Sequence, residues 1–448
     1  MIKSIIIKKL FGRFNYTLNF LSERIMIITG PNGYGKSTIL RMINSFCNDD
    51  FSVFLNYSFS SFIVRCKLNT IEIKKNENFF MINNFSFPYP VPKQPSDEEE
   101  IDINTHDDYV TFLLNRTFNN LSQDFEKKTL IEKYYDKSTN NFIFKLIDNA
   151  FSKRPHKNDV KNLLVNIKSA FDQIDNIKKE IGAIHFIQEQ RLIEKREEVN
   201  NKGLFRNEQE IKYVNVINEN SEKLKSELAE IMRQHSSLSS TLDSSYIRRL
   251  FAENSGNKSV KEVRSQLQLL QEKQNKLKKY GLADIDNVSY ITKLDKEKLN
   301  KFSAEMAIFL EDASTKFAIF EPIINKLDLY ERIVNKKLTF KKISLTSTHG
   351  IMISSDEGKN LLLDELSSGE QEILVLFYKL IFESDVNLLL IDEPEISLHI
   401  AWQKELMNDF KEVINLNKGM QMIIATHSPQ IISDNWDLQI DLGEQYNG

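Results

Sequence analysis

Apolar residues fall into short runs at both ends of the chain and into helical spacings through its middle. "SIIIKKL" (4–10), "YTLNF" (16–20) and "RIMIITG" (24–30) each read as a strand, and the third runs straight into a glycine-rich stretch. "KSTILRMINSF" (36–46) then has the apolar spacing of a helix. Residues 52–84 alternate in short runs, such as "FIVRCKL" and "TIEIKK", and predict a small antiparallel sheet. "FPYPVPKQPSDEEE" (87–100) holds four of the nine prolines and an acidic run, and reads as an exposed loop. Residues 106–180 have a polar-rich helical pattern, broken by the short strand "GAIHFIQEQR" (182–191).

From 206 to 336 the chain reads as helical again. Ile217, Leu224, Ile231 and Leu238 recur at seven, with Leu228 and Leu242 on the adjoining row. After the polar break "ENSGNKS" (253–259), Val263, Leu270 and Leu277 recur at seven, beside Val260 and Leu267. Two such runs around a break suggest an antiparallel coiled-coil hairpin. His235 and Gln274 interrupt the seam, so an ordinary helical subdomain is the alternative. "KKLTFKKISLTSTHGIMISS" (336–355) returns to strands around a turn. Helix, strand "VNLLLIDEP", helix and strand "MQMIIATHS" complete the pattern.

The 448 residues suffice for two or three domain-sized units, and a 41% hydrophobic content can bury a sizeable core. A net charge of -4, from 59 basic and 63 acidic residues, gives no global attraction to nucleic acid or membrane. Cys47 and Cys66 have no metal-ligand spacing, which fits a reducing, cytoplasmic setting. The apolar run of "MIKSIIIKKLFGRF" is too short for a signal segment, and no stretch approaches the roughly 20 apolar residues of a membrane span.

"GPNGYGKST" (30–38) matches the phosphate-loop pattern in its strand–loop–helix context. Gly30, Gly33 and Gly35 let backbone N–H groups, including that of Asn32, curl towards phosphate oxygens. Lys36 reaches the β- and γ-phosphates of ATP, Ser37 offers its hydroxyl to Mg²⁺, and Thr38 adds a hydroxyl at the helix N-terminus. "LLLIDEP" (388–394) delivers two acids at a strand end. Asp392 suits the metal and Glu393 suits a general base on the attacking water. "ATHSPQ" (425–430) puts His427 after another apolar strand, where it can contact the γ-phosphate.

"LSSGEQE" (366–372) completes the set. With it the chain resembles the ABC-type ATPases, in the branch of Rad50, the SMC proteins and the OLD-like ATPases. That resemblance implies an α/β fold: an ABC-type head with a P-loop, a mixed sheet and flanking helices, carrying an inserted helical or short coiled-coil region. In the family, the signature of one head faces the nucleotide of another. Ser367, Ser368, Gly369 and Glu370 occupy the signature here, with Ser368 in place of a glycine and Glu370 in place of the usual glutamine. The resemblance implies a head-to-tail dimer or higher homo-oligomer with ATP between heads. It also places Gln190 in the Q-loop, towards Mg²⁺ and the attacking water, and Arg13 in a loop near nucleotide. "ISLH" (396–399) stands at the D-loop, with His399 in the region of its missing Asp. The implied division is a head lobe at 1–95, a helical insert at 96–181, a Q-loop segment at 182–204, a second helical insert at 205–336, and the other head lobe at 337–448.

Within the branch, "GPNGYGKSTIL", "FIQEQRL", "LSSGEQE" and "DEPEISLHIAWQ" resemble the stand-alone ATPase subunits of bacterial anti-phage systems. The PARIS ATPase, with a separate Toprim nuclease, comes first. The Septu and retron-associated ATPase, with an HNH nuclease, comes next. The implied role is a sensor of a phage-encoded trigger that controls the nuclease and has no nuclease activity of its own. A DNA-maintenance ATPase that clamps DNA between its heads is the alternative.

Overall fold

The computed structural model describes residues 1–20, 24–48, 50, 52–76, 79–88, 157–189, 192–200, 208–251, 259–283, 296–383 and 386–447. Most of the proline-rich 87–100 stretch, the pattern at 106–156 and Gln190 therefore lie outside the described residues.

Strands β1 (Ile2–Leu10) and β2 (Phe14–Asn19) form a hairpin, and β3 (Ile25–Thr29) leads into helix α1 (Lys36–Cys47). Then come β4 (Ser61–Cys66), β5 (Thr70–Lys75), β6 (Phe79–Ile82) and β7 (Phe85–Pro88), all antiparallel. The small sheet expected over 52–84 is present but larger. β1 pairs with both β2 and β4, giving one six-stranded sheet in the order β2-β1-β4-β5-β6-β7, while Ser52–Asn56 is a helical turn. Helix α2 (Lys157–Ile181) packs on this sheet. Its Phe171, Ile174 and Ile177 share a core with Ile39, Leu40 and Ile43 of α1.

A second sheet is wholly parallel. β8 (Ile184–Ile187), β14 (Leu388–Asp392), β15 (Gln421–Ala425), β3 and a short β16 (Gln439–Asp441) lie in that order from one edge to the other. Between β8 and β14 in sequence come β9 (Ile193–Asn200), β10 (Glu208–Asn215), β11 (Lys341–Thr346), β12 (Gly350–Ser355) and β13 (Asn360–Leu361). Every residue of β3, β14 and β15 is buried. Strands covered on both faces read as unbroken apolar runs, which is why the sequence marks them so clearly. The two layers around this sheet hold the two main cores.

Three expectations need correction. The stretch from 206 is not helical at its start: β10 pairs with β9 in continuous register from Glu208↔Asn200 to Asn215↔Ile193. Charged and amide side chains dominate both strands, so no apolar alternation announces them. Helix α3 (Val216–Leu250) begins only at the cap of Asn215, whose side chain accepts from the Ile217 N–H. The second correction concerns the hairpin of helices. α3 and α4 (Val260–Lys279) each pack on a third helix, α5 (Ser303–Ala318), more than on one another. Leu224, Leu228, Val263, Leu267, Leu270 and Leu277 are all buried in one core, joined by Leu310 and Phe317 of α5. The heptad-like spacing therefore marks a shared helical core, the alternative reading. Third, helix α6 (Glu321–Lys337) continues into the stretch read as strand, and β11 starts at Lys341. Helices α7 (Ser368–Ile381) and α8 (Ile400–Leu416) complete the covering layer beside α6.

Candidate nucleotide site

The C-terminal ends of β3, β14 and β15 lie side by side, and each delivers chemistry to that edge. After β3 the chain turns at Gly30, Gly33 and Gly35, all with positive φ (143, 84 and 90°). Gly35 caps α1 from the left-handed region. A Cβ there would sit 2.9 Å from Leu10 Cδ2 and strain the backbone as well, so glycine is required. The first turn of α1 thus starts with N–H groups free of any side-chain cap, the arrangement that attracts phosphate.

Lys36 is buried, and its ammonium donates to the Gly30 carbonyl at 2.9 Å and to His427 Nδ1 at 3.1 Å. Burial lowers its pKa, against the pull of Glu393 and Asp392. His427 Nδ1 is thereby the acceptor, so Nε2 carries the hydrogen. Nε2 lies 2.8 Å from Glu393 Oε1. Burial, then the Lys36 charge, lowers the His427 pKa, against the pull of Glu395 and Asp392. Ser37 Oγ donates to Asp392 Oδ1 at 3.0 Å. A hydroxyl and a carboxylate side by side are hard oxygen donors and fit Mg²⁺, which takes one or two protein ligands beside phosphate and water.

Glu393 has φ 47°, a strained region for a residue with a Cβ, and its N–H donates to the Ala425 carbonyl at 2.9 Å. Burial first, and then Glu395 lying against it, push its pKa up to about 8. Asp392 is raised by burial too, with Ser37, Arg41 and Lys36 opposing.

Lys36, Ser37, Asp392, Glu393 and His427 are therefore brought together. Thr38 follows on the same helix, half-buried, and Asn32 and Gly33 are exposed in the loop. Arg13 stands over the Phe14 ring at 4.7 Å, and Phe14 packs against Tyr34 of the loop with centroids 5.1 Å apart. Tyr16 Oη also donates to the Tyr34 carbonyl at 2.8 Å. This aromatic bracing of the loop from β2 has no motif that would announce it.

The signature residues open α7. Ser367 is the N-cap: its Oγ accepts from the Glu370 N–H at 3.4 Å, and the Glu370 carboxylate accepts from the Ser367 N–H at 2.8 Å. Lys341 donates to both Glu370 oxygens, at 2.9 and 2.8 Å. Burial alone would raise the Glu370 pKa, but Lys341 and Ser367 hold it below the usual value. The departure from glutamine is thus accommodated by a capping box and an ion pair. Ser368 is exposed and Gly369 buried. A Cβ on Gly369 would meet the Ser397 carbonyl at 2.7 Å, so the signature helix packs directly on the loop after Glu393. His399 caps α8, its Nδ1 accepting from the Ala401 N–H at 3.3 Å.

One residue of the site was not singled out by sequence. Glu395 Oε1 accepts from Thr426 Oγ1 at 2.6 Å and from the N–H groups of His427 at 2.9 Å and Ser428 at 3.0 Å. The signal available was a third acid just past the pair in "DEPEISLH".

These parts, on this parallel sheet, define the α/β P-loop ATPase head. The chain belongs to the family described as AAA ATPase domain, whose model matches residues 1–432. No curated protein matches it. Among solved structures it is similar to the Smc head domain with an extended coiled coil bound to the C-terminal domain of ScpA, from Pyrococcus furiosus, at 11% identity, over 97% of this chain and 91% of that chain, with a TM-score of 0.35. The SmcHead bound to the C-winged helix domain of ScpA gives 9% identity, 97% and 91% coverage, and a TM-score of 0.34. The SMC head domain from Thermotoga maritima gives 16% identity, 24% and 39% coverage, and a TM-score of 0.19. Among the described residues, no helix is long and apolar enough to cross a membrane.

Proposed function

We propose that this chain is the ATP-hydrolysing subunit of an anti-phage system, working as a head-to-tail homodimer that controls a separate nuclease. The observation that carries the hydrolytic part is the convergence of Lys36, His427 and Glu393 in one hydrogen-bonded chain beside the Ser37–Asp392 pair. The glycine loop and α1 N-terminus receive the phosphates, and Lys36 exchanges the Gly30 carbonyl and His427 for phosphate oxygens. Ser37 and Asp392 would hold Mg²⁺, which neutralises charge on the β- and γ-phosphates when bound. Glu393 takes the proton of the attacking water. His427, released from Lys36, turns its ring to the γ-phosphate. Gln190 aligns the water, and Arg13 lies beside the nucleotide. Ser367, Ser368 and Gly369 of a second copy meet the γ-phosphate, with Glu370 holding their turn.

The control of a nuclease, of Toprim type or alternatively HNH type, is supported by the resemblance of the four quoted motifs to the stand-alone defence ATPases. So is the phage-encoded trigger. No nuclease step is assigned to this chain.

Glu393→Gln is expected to bind ATP but to lose about 10²–10⁴-fold in steady-state turnover, the range for removing a general base. Turnover within about threefold of the wild type would overturn the assignment. Lys36→Ala is expected to lose nucleotide affinity instead, since its charge acts on the bound phosphates.

A further inference from the structure

Glu395 lies beyond the acid pair, and no step of the reaction uses it. Its side chain is nevertheless among the most heavily engaged at the strand ends. Three donors converge on Oε1: the Thr426 hydroxyl and the N–H groups of His427 and Ser428. Oε2 is buried, and the Glu393 carboxyl lies within hydrogen-bonding reach of this side chain. The same turn is tied down on its other side, where Ser428 Oγ donates to Gln403 Oε1 at 2.7 Å and Gln403 Nε2 donates to the Leu398 carbonyl at 3.0 Å. The Thr426 N–H donates to the Ile28 carbonyl of β3 at 3.1 Å. The 426–428 turn is therefore suspended between the loop after β14, the start of α8 and the strand that feeds the phosphate loop.

What this suspension fixes is the His427 backbone, and through it the ring that bridges Lys36 and Glu393. A carboxylate placed against Glu393 carries an electrostatic cost, because two negative charges so close repel one another. A neutral acceptor could cap the turn without that cost. The feature that calls for a function is the convergence of three donors on one acceptor oxygen, whatever its charge.

Resting on the ATP-hydrolysis reading above, we propose that Glu395 is a positioning residue that sets the 426–428 turn, so that His427 and Glu393 share one register with the γ-phosphate. Its Oε1 ties the loop carrying the base to the turn carrying the histidine, so the two move as one unit. It acts through the groups it holds, the backbone of the 426–428 turn and the Glu393 loop.

The test compares Glu395→Ala, Glu395→Gln, His427→Ala and the double variant Glu395→Ala/His427→Ala, with Glu393→Gln as control. Displacing reacting groups by about 1 Å costs on the order of 10²-fold. Glu395→Ala is expected to lower kcat by that order while the KM for ATP and equilibrium ATP binding stay within about threefold. Glu395→Gln keeps an acceptor oxygen for the turn and is expected to recover most of the rate. The double variant should turn over no more slowly than His427→Ala alone, because both changes remove one coupled function. If the alanine variant does not fold, Thr426→Val removes the hydroxyl donor and should give a smaller loss in kcat at unchanged KM. A wild-type kcat in Glu395→Ala, or losses that multiply in the double variant, overturns the proposal. If instead Glu393→Gln hydrolyses ATP like the wild type, the hydrolysis reading itself fails.

Discussion

At the scale of single residues, the site is built at the expense of stability. Glu393 combines a positive φ with burial beside Glu395 and Asp392, and Lys36 and the His427 ring oppose that crowding. Its carboxyl is raised from 4.5 to about 8. The folded state therefore holds this proton more tightly than the unfolded chain does. The associated stability is fully present below pH 4.5 and is lost as pH rises towards 8. Glu393→Gln should raise the melting temperature of the nucleotide-free protein at pH 8, and the gain should shrink as pH falls towards 5. Thermal melts of both proteins across that range check this; a variant that melts below the wild type at pH 8 would refute it. The residues of this cluster were legible because each belongs to a recognised motif that follows a buried strand. Glu395 was not, because its importance depends on a turn more than thirty residues on being folded back against it.

At the scale of elements, legibility followed burial. The five-stranded parallel sheet was readable from apolar runs, apart from the short β16, whose Gln439–Asp441 has no strand signature. The β9–β10 hairpin was hidden by its charged residues. In α3 and α4 the heptad spacing was read correctly as helix but assigned the wrong neighbour, because an apolar seam does not say which helix fills it. α5 takes up the inner face, which leaves Glu222, Glu230, Arg233 and Gln234 of α3 exposed. Their ion pairs are local: Arg233 pairs with Glu230 one turn away, and Lys225 with Glu222 at 3.4 Å. Exposed pairs of this kind contribute at most about 1 kcal/mol, so their reversal is tolerable. Under the proposed function this face docks the nuclease subunit. Glu222→Lys together with Arg233→Glu should weaken co-purification of the partner while ATP turnover stays near normal. Undiminished partner recovery would remove α3 from the docking surface.

At the scale of the whole molecule, the distance in sequence between the phosphate loop and the signature follows from the topology. β3 lies between β15 and the short edge strand β16 of the parallel sheet, while α7 enters only after the helical core of α3–α6 has been built. The two halves of the head meet where β14 and β15 complete the sheet beside β3. Gly369 then rests on the carbonyl of Ser397, itself in the left-handed region at φ 63°. Signature and acid loop are thus one rigid surface, and Ser367 and Ser368 at its edge are exposed. A phosphate cradle at an exposed helix start has no use within its own head if the Lys36 cluster already holds the γ-phosphate. A second copy would supply the phosphate, and each composite site would combine one chain's Lys36 with the other's Ser367. Separate variants can then complement. Lys36→Ala cannot bind nucleotide but retains a signature; Ser367→Arg blocks the signature but retains a nucleotide loop. Mixed in equal amounts, they should form one intact composite site per mixed dimer and recover part of the wild-type turnover, with neither variant active alone. Subunit exchange is verified by co-purification of two differently tagged variants. Exchange without any recovered turnover would mean that both motifs act within one chain, and the head-to-tail arrangement would fall with it.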